Sequence, residues 1–282
     1  MKVIFILSAG HSGSTLLDIL LDTHRQVIGV GEIHTFKKDS QVRCACGKAV
    51  QECRRWAPII NQVAVSPCGL KTKLKTKVEH FLNLDVYRYN NCPDVLIDKD
   101  AYIKTNEALF DEILKREEGQ IIVDSSKSIE RVELLSLSDK IEPIIVHLVR
   151  DTRAVTWSYM RKYKKKRHYL FIWLSHNIKI ELLKYRVRAP AILVGYSEIV
   201  RQPQKTIDRI IRLAGLQPQD IIGEYQTVPH HQFGGNGMRF APKDIIDDNA
   251  WRSEMPKWLQ YVVFFFTGWL DLVYRLRMWI IK

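Results

Sequence analysis

The chain has 282 residues, 46% of them hydrophobic, and it carries a formal net charge of +12 with a pI near 9.4. This length and apolar content suffice for a large buried core, and five cysteines in so long a chain do not form a disulfide scaffold. The charge favours an anionic partner, and because no segment resembles an RNA-reading or helix-turn-helix module, nucleic acid is not expected.

The first predicted element is a strand, a loop and a helix at the N-terminus. Residues 3–7 are apolar and include three β-branched side chains, residues 8–15 are small and glycine-rich, and residues 16–21 are apolar at helical spacing. Glycines let a backbone approach a ligand closely, and the N–H groups at a helix start attract negative charge. The pattern predicts an anion site with donors from Gly10, His11, Ser12, Gly13, Ser14 and Thr15. Two residues separate the glycines and no lysine precedes Ser14, so the loop lacks the equipment for a nucleoside triphosphate.

The same loop, followed by Leu16 and Leu17, resembles the 5′-phosphosulfate loop of the sulfotransferases that use 3′-phosphoadenosine 5′-phosphosulfate (PAPS). Family loops usually carry arginine or lysine where this chain has His11, and an imidazole with a pKa of about 6.5 is only partly charged at neutral pH. Three readings follow from this departure. Lys127 supplies the missing charge, a bound anion raises the pKa of His11, or the chain binds the nucleotide without efficient catalysis.

A second predicted strand, residues 27–30, ends in a loop that carries Glu32 and His34. Open α/β sheets place their chemistry at the carboxyl ends of strands, so Glu32 is a candidate base. In the protein-tyrosine branch of the sulfotransferases, a glutamate at a similar distance after the loop removes the acceptor's proton, and Glu32 stands at the matching place. His34 is the competitor, because other branches use a histidine.

Cys44, Cys46 and Cys53 follow in close succession. With His34 or Cys68 as a fourth ligand they could bind zinc, although the single residue between the first two is shorter than in common zinc knuckles. An oxidisable pair and a packed loop over the acceptor site are the alternatives, and we favour the packed loop, so no metal is expected. The Cys-x-Cys-Gly pattern with a later cysteine and tryptophan resembles an insertion of bacterial sulfotransferases.

Residues from about 70 to 118 are predicted to be mainly helical and solvent-exposed, with a helix over residues 101–116. Four alternating lysines, Lys71, Lys73, Lys75 and Lys77, are read as a solvated face.

Two further buried strands are predicted over residues 121–124 and 143–149. Lys127 follows the first, where an ammonium group can stabilise negative charge on a transferring sulfuryl group or its leaving phosphate. Arg150 follows the second, with Ser158 two turns into the next helix, so the two could clasp one anion. This segment resembles the sulfotransferase motif for the 3′-phosphate; a buried ion pair of Arg150 with Asp151 or Glu142 is the alternative.

The rest of the chain is read as another strand over residues 191–195, an amphipathic helix from Gln202 to Leu213, and a glycine-containing loop over residues 230–240, here called the late loop. That loop resembles one that folds over the nucleotide in related bacterial enzymes, so Asn236 and Arg239 are candidate ligands of the 3′-phosphate or adenosine. The basic run of residues 161–168 is predicted to be solvated. The alternatives are that it binds an anionic glycan acceptor or an acidic lipid. The aromatic stretch of residues 258–282 is predicted to be a terminal helix packed on the domain, with a membrane-surface helix as the alternative.

Taken together, the motifs identify the chain as a bacterial-type member of the PAPS-dependent sulfotransferases. The resemblance implies a P-loop-like α/β fold with a central parallel sheet. We expect one domain over residues 1–282, with a cysteine-containing insertion at about 35–118 and an aromatic helix at about 256–282. The implied reaction moves a sulfuryl group from PAPS to a hydroxyl, less readily an amine, of a carbohydrate, a lipid-linked or a small acceptor, without a metal. The odd cysteine count and the N-terminal strand favour a cytoplasmic protein, with peripheral membrane contact through the last helix. The rival functions are a P-loop kinase and a non-catalytic, membrane-associated binding protein.

Overall fold

The computed structural model describes residues 1–36, 41–63, 69–73, 87–90, 92–163, 169–242 and 244–280. In chain order its strands are β1 (Lys2–Leu7), β2 (Val27–Gly31), β3 (Thr72–Lys73), β4 (Arg88–Tyr89), β5 (Cys92–Leu96), β6 (Ile121–Asp124), β7 (Glu142–Val149) and β8 (Ala191–Gly195). Its helices are α1 (Ser14–Asp22), α2 (Trp56–Ile60), α3 (Lys99–Arg116), α4 (Ile129–Leu135), α5 (Thr152–Tyr163), α6 (Tyr169–Val187), α7 (Tyr196–Arg201), α8 (Pro203–Leu213), α9 (Trp251–Glu254) and α10 (Lys257–Ile280).

Five strands form one parallel sheet in the order β2-β6-β1-β7-β8. The central strand β1 pairs with β6 from Lys2 to Phe5 and with β7 from Lys2 to Leu7, in parallel register. Because every strand runs the same way, all five carboxyl ends meet at one edge. That edge carries the glycine loop, Glu32, Lys127 and Arg150, so the predicted α/β class with a central parallel sheet is confirmed.

The sheet is buried on both faces, as its nearly continuous apolar strands require. One face packs under α1 and α8, where Leu17, Leu20 and Ile210 join Ile4 and Ile6 in a buried cluster. The other face packs against α2, α3 and α4, and its cluster also contains Cys44, Val50 and Cys53 from residues 44–53, here called the cysteine segment. The division into one domain with an insertion stays a prediction. The sheet and the predicted insertion both contribute side chains to this cluster.

The stretch predicted to be mainly helical is only partly so. Helix α3 is confirmed, and its N-terminus is capped by Asp98, whose side chain accepts a hydrogen bond from the Ala101 amide at 3.0 Å. Before it, however, β3, β4 and β5 form a second, antiparallel sheet. Leu70, Tyr87 and Tyr89 are buried there, so the predicted solvent exposure is wrong for these three residues. Short strands without a clear period of two carry a weak sequence signal, which explains the error.

The aromatic stretch forms α10, which packs on α5 and α6, as predicted for a terminal helix. Its inner stripe buries Leu259, Val263, Leu270 and Tyr274. Among the described residues, no helix combines the length and apolar character that crossing a membrane requires. The cytoplasmic location stays a prediction.

Candidate active site

In the glycine loop between β1 and α1, a side chain at either glycine would meet a tyrosine ring. A Cβ on Gly10 would lie 2.1 Å from the Tyr159 hydroxyl, and one on Gly13 would lie 2.6 Å from the Tyr196 ring. Gly13 has a φ of 96° and caps α1, whose first hydrogen bond runs from the Leu17 amide to the Gly13 carbonyl at 3.0 Å. The loop therefore lies beneath two tyrosine rings, with the start of α1 open to a ligand.

Two residues at this edge adopt left-handed backbone conformations although they are not glycines. His11 has a φ of 62° and Lys127 a φ of 60°. Such conformations cost about 1–3 kcal/mol each and persist where the surrounding structure imposes them, often at functional sites. Both of these residues line one cleft, which indicates that the edge is shaped for a ligand.

The cleft has a volume of about 800 Å³, within the range of about 300–1,000 Å³ that is typical of ligand sites. It gathers predicted site residues from five separate parts of the chain: Gly10, His11, Gly13, Ser14, Thr15, Glu32, Lys127, Arg150, Ser158 and Asn236. Three others do not line it in the described part of the chain, namely Ser12, His34 and Arg239. Ser12 is buried below the loop, and its hydroxyl has no hydrogen-bond partner among the described residues.

Arg150 and Ser158 both contact His11, and their joint grip on one anion stays a prediction. The Ser158 Oγ lies 2.7 Å from His11 Nδ1, and Arg150 donates a hydrogen bond to the His11 carbonyl at 3.0 Å. Burial, followed by the nearby cations Lys162, Arg150 and Lys127, lowers the pKa of His11 to about 4. His11 is therefore neutral at neutral pH in the absence of an anion.

The Arg150 guanidinium is held between an aromatic ring and an acid. It lies 4.2 Å from the centre of the Tyr196 ring and donates to Asp248, to the carbonyl at 2.9 Å and to the carboxylate at 3.3 Å. The predicted alternative, a buried pair with Asp151 or Glu142, is not what the structure shows, since Asp151 pairs with Arg153 at 2.6 Å. Arg150 is thus oriented towards the cleft, with an exposed acid as its partner.

Lys127 and Glu32 form an ion pair across the floor of the cleft. The Lys127 Nζ lies 2.5 Å from Glu32 Oε1 and also donates to the Ser125 carbonyl at 3.1 Å. Burial acts to raise the pKa of Glu32, but the Lys127 ammonium outweighs it, so the net pKa is lowered. As long as the pair is intact, Glu32 is a weak base.

Of the two candidate bases, only Glu32 reaches the cleft within the described residues. His34 is buried, its Nδ1 has no described partner, and burial lowers its pKa to about 4. The geometry favours Glu32 over His34 as the group that can meet a molecule bound in the cleft.

The late loop lies against the start of α1, and its closure over a nucleotide stays a prediction. The backbone amide of Asn236 donates to Thr15 Oγ1 at 3.2 Å. A Cβ on Gly235 would lie 3.2 Å from the same oxygen. Arg239 donates instead to the carbonyls of Gly235 at 2.7 Å and Asn236 at 3.1 Å. Arg239 therefore stabilises the loop that presents Asn236.

Sequence reasoning missed several cleft residues, among them Lys71, Tyr159, Lys162, Tyr196 and Asp248. Tyr196 directly follows β8 at the same sheet edge as Arg150, so strand order held a usable signal for it. Lys71 and Lys162 belong to basic stretches that were read as solvated; Lys75, Lys77 and residues 164–168 of those stretches lie outside the described residues.

The three clustered cysteines are free thiols, and they lie beside the late loop rather than in the cleft wall formed by described residues. The sulfur atoms of Cys44, Cys46 and Cys53 and a ring nitrogen of His231 all lie within 4.8 Å of one another. His231, rather than His34, is the fourth group, and Cys68 lies outside the described residues. Cys92 is disulfide-bonded.

Comparison with known proteins gives a family and a fold. A sequence model described as the sulfotransferase family matches residues 3–220. The sulfotransferase domain from the curacin biosynthetic pathway aligns with a TM-score of 0.58 at 16% identity, over 91% of this chain and 92% of that one. The sulfotransferase domain from the olefin synthase of Synechococcus PCC 7002 aligns with a TM-score of 0.52 at 20% identity, over 91% and 89%. Sulfotransferase STF9 from Mycobacterium avium aligns with a TM-score of 0.52 at 14% identity, over 95% and 76%. None of the curated proteins compared matches the chain.

Proposed function

Since this chain belongs to the sulfotransferase family, we propose that it transfers a sulfuryl group from PAPS to an acceptor hydroxyl. The observation that carries the proposal is the cleft itself, in which the glycine loop, Lys127, Arg150 and Ser158 face one volume. An elongated donor with a phosphosulfate at one end and a 3′-phosphate at the other needs two cationic sites joined by a groove. The cleft offers such sites at Lys127 and at Arg150.

In this proposal, the backbone amides at the start of α1 and the hydroxyls of Ser14 and Thr15 hold the 5′-phosphosulfate. Arg150 and Ser158 hold the 3′-phosphate, and Tyr196 keeps the guanidinium plane in place. The phosphate displaces the Asp248 carboxylate from Arg150, because both compete for the same N–H groups. Asn236 adds a donor from the late loop.

The chemical step is an in-line displacement at sulfur. The acceptor oxygen forms a bond to sulfur, the bond from sulfur to the bridging phosphate oxygen breaks, and adenosine 3′,5′-bisphosphate leaves. Glu32 takes the acceptor's proton, and Lys127 stabilises the negative charge that develops on the leaving phosphate. Donor binding draws Lys127 away from Glu32, which removes the interaction that lowers the Glu32 pKa and so strengthens the base.

The test combines a binding and a turnover measurement. We expect calorimetry to show tighter binding of adenosine 3′,5′-bisphosphate than of ATP with magnesium, and radiolabelled PAPS to transfer its sulfuryl group to members of a panel of glycans, glycolipids and phenols. Glycans and glycolipids are included because Lys71, Lys127, Arg150 and Lys162 line the cleft and would suit an anionic acceptor, and phenols represent small hydroxyl acceptors. A preference for ATP would favour the rival kinase function, and tight nucleotide binding without transfer to any acceptor would favour a binding protein.

The outer face of α10 supports a second proposal, that the protein contacts a membrane surface. An ordinary surface helix is polar on the side away from the core, yet this one exposes Trp258, Tyr261, Phe265, Trp269, Leu272, Leu276 and Trp279. Phe266 continues the apolar surface onto α6 through its ring contact with Phe171 at 5.8 Å. Tryptophan and tyrosine beside Arg275 and Arg277 suit the interface of a bilayer with anionic headgroups.

Vesicle sedimentation tests this contact. We expect binding to phosphatidylserine-containing vesicles that falls at least tenfold in a Phe265→Ser, Trp269→Ser double variant. Leu137→Ser is the matched control, because Leu137 is also exposed but lies in the turn after α4. Absence of vesicle binding, together with a dimer that the double variant dissociates, would assign the face to a second copy of the chain instead.

A further inference from the structure

Three thiols and one imidazole meet at a single point where the cysteine segment touches the late loop. Cys44 and Cys46 lie in the turn before α2, Cys53 lies just before α2, and His231 precedes the glycines of the late loop. Cys53 Sγ lies 3.4 Å from Cys44 Sγ and 3.8 Å from Cys46 Sγ. His231 Nδ1 lies 3.3 Å from Cys53 Sγ and 3.6 Å from Cys44 Sγ.

These separations match the edges of a zinc coordination tetrahedron. Zn–S bonds of about 2.3 Å and Zn–N bonds of about 2.0 Å place two sulfur ligands about 3.8 Å apart and a sulfur and a nitrogen about 3.5 Å apart. A disulfide would instead require a sulfur separation of about 2.05 Å. We propose that Cys44, Cys46, Cys53 and His231 bind one structural Zn²⁺ ion.

The environment of the four groups favours a metal with soft ligands and a closed coordination shell. Cys44 and Cys53 are fully buried and His231 nearly so, whereas Cys46 is the accessible member. Four protein ligands leave no position for water or substrate, which is the arrangement of structural rather than catalytic zinc sites. The ion would take no part in sulfuryl transfer, and the proposal does not depend on the proposed function.

The site would fasten together two segments that are far apart in sequence. Around it, the Ala45 amide donates to the Gln232 carbonyl at 3.0 Å and the Trp56 indole donates to the His231 carbonyl at 2.8 Å. The next residue, Phe233, accepts a hydrogen bond from the Glu32 amide at 2.6 Å. The metal would therefore fix the base of the late loop beside Glu32, and with it the position of Gly235 and Asn236 above Thr15.

Arg54 gives the proposal a second observable consequence. Its Nε donates to His231 Nε2 at 3.0 Å, an interaction that requires an unprotonated Nε2. A neutral imidazole that ligates zinc through Nδ1 carries its proton on Nε2 and seeks an acceptor there. Zinc binding should then displace Arg54, and Arg54→Gln, which offers a carbonyl oxygen, should preserve or tighten zinc binding.

The experiment measures metal content by mass spectrometry on protein purified without chelator. We expect about one zinc ion per wild-type chain and a loss of at least tenfold in Cys53→Ser and His231→Ala. His230→Ala is the matched control, because both nitrogens of His230 are already engaged by Asp22 and by the Tyr225 carbonyl. Cys46→Ser is the variant least exposed to folding failure, and it should weaken zinc binding at least tenfold.

Two further measurements keep the outcome decisive. Cobalt titrated into metal-free protein should give the visible absorption of tetrahedral, thiolate-bound Co²⁺, and a zinc chelator should lower the melting temperature of the wild type but not of His231→Ala. Protein that carries less than a tenth of an equivalent of zinc and gives no cobalt spectrum overturns the proposal. A Cys44–Cys53 disulfide in metal-free, freshly purified protein would also overturn it, in favour of an oxidisable pair.

Discussion

The proposed clasp on the 3′-phosphate makes the sharpest prediction, because it can be tested without knowing the acceptor. Arg150→Ala should weaken binding of adenosine 3′,5′-bisphosphate much more than binding of adenosine 5′-phosphate, which lacks the 3′-phosphate. The guanidinium is nearly buried, with 9% of its side chain exposed, so a phosphate paired with it is largely shielded from water. The difference between the two ligands isolates the contact of interest.

The magnitude follows from the hydrogen bonds at stake. A hydrogen bond to a charged group contributes about 1.5–3 kcal/mol, and each 1.4 kcal/mol corresponds to about tenfold in affinity. We therefore expect a loss of about 10- to 100-fold for the bisphosphate. Arg150 also holds the carbonyls of His11 and Asp248, and the cost of losing those bonds falls on both ligands alike.

Isothermal titration calorimetry on the wild type, Arg150→Ala and Arg150→Lys measures these affinities. Arg150→Lys should lie between the other two, because it keeps the charge but loses the planar fork. Arg153→Ala is the control, since Arg153 is three positions away and pairs with Asp151. An equal loss for both nucleotides would refute the reasoning and leave Arg150 with the task of supporting the glycine loop.

Four further predictions concern the same edge of the sheet. Glu32→Gln should lower turnover about 10²- to 10⁴-fold without weakening the binding of adenosine 3′,5′-bisphosphate, which should tighten because Lys127 loses its competing carboxylate; a lost affinity with intact turnover would reverse its role. Asp248→Asn should raise that affinity several-fold in calorimetry, because it removes the acid that competes for Arg150, and an unchanged affinity would contradict this. Burial raises the pKa of Asp18 from 3.8 to about 7, so the folded protein binds an extra proton between these values and loses stability as pH rises through that window. Asp18→Asn should therefore gain about 1–4 kcal/mol over the wild type in urea unfolding above about pH 7 and nothing near pH 4, and a pH-independent difference would refute it. For His11, a bound phosphosulfate should raise the pKa from about 4, so the wild-type kcat should rise as pH falls below neutral, whereas His11→Arg should show no such rise; parallel pH profiles would exclude protonated His11 from turnover.

Much of this edge could be predicted from the sequence because the signals are local. A buried strand followed by a polar cluster marks a carboxyl end, and the parallel sheet brings such ends together whatever the details of packing. Glu32, Lys127 and Arg150 were found in this way, each within three residues of its strand. Once the fold class is known, their convergence on one cleft follows, because a parallel sheet places the carboxyl ends of its strands at one edge.

What could not be predicted depends on contacts between distant segments. His231 lies 178 residues from Cys53, and a lone histidine pair in a loop carries no mark of its partners. Arg239 belongs to the same loop and is predicted from the sequence to bind the nucleotide. Its guanidinium instead donates to two backbone carbonyls of that loop, a contact that no sequence pattern marks. In the short strands β3 and β4, residue periodicity had too few positions to distinguish a strand from a helix.

Two acids in the cleft hold two of its cations in position before an anion binds. Lys71, Lys127, Arg150 and Lys162 are its described cations, and two of them are already paired, Lys127 with Glu32 and Arg150 with Asp248. Without these acids, four cations would repel one another across a shared volume. With them, Lys127 and Arg150 are each held in position until an anion replaces the partner. On the proposed function, the two replacements differ in consequence: displacement of Asp248 frees only an exposed carboxylate, whereas displacement of Glu32 from Lys127 creates the base. The pairing thus couples base strength to donor binding, so an acceptor that enters before PAPS meets a Glu32 that is still neutralised.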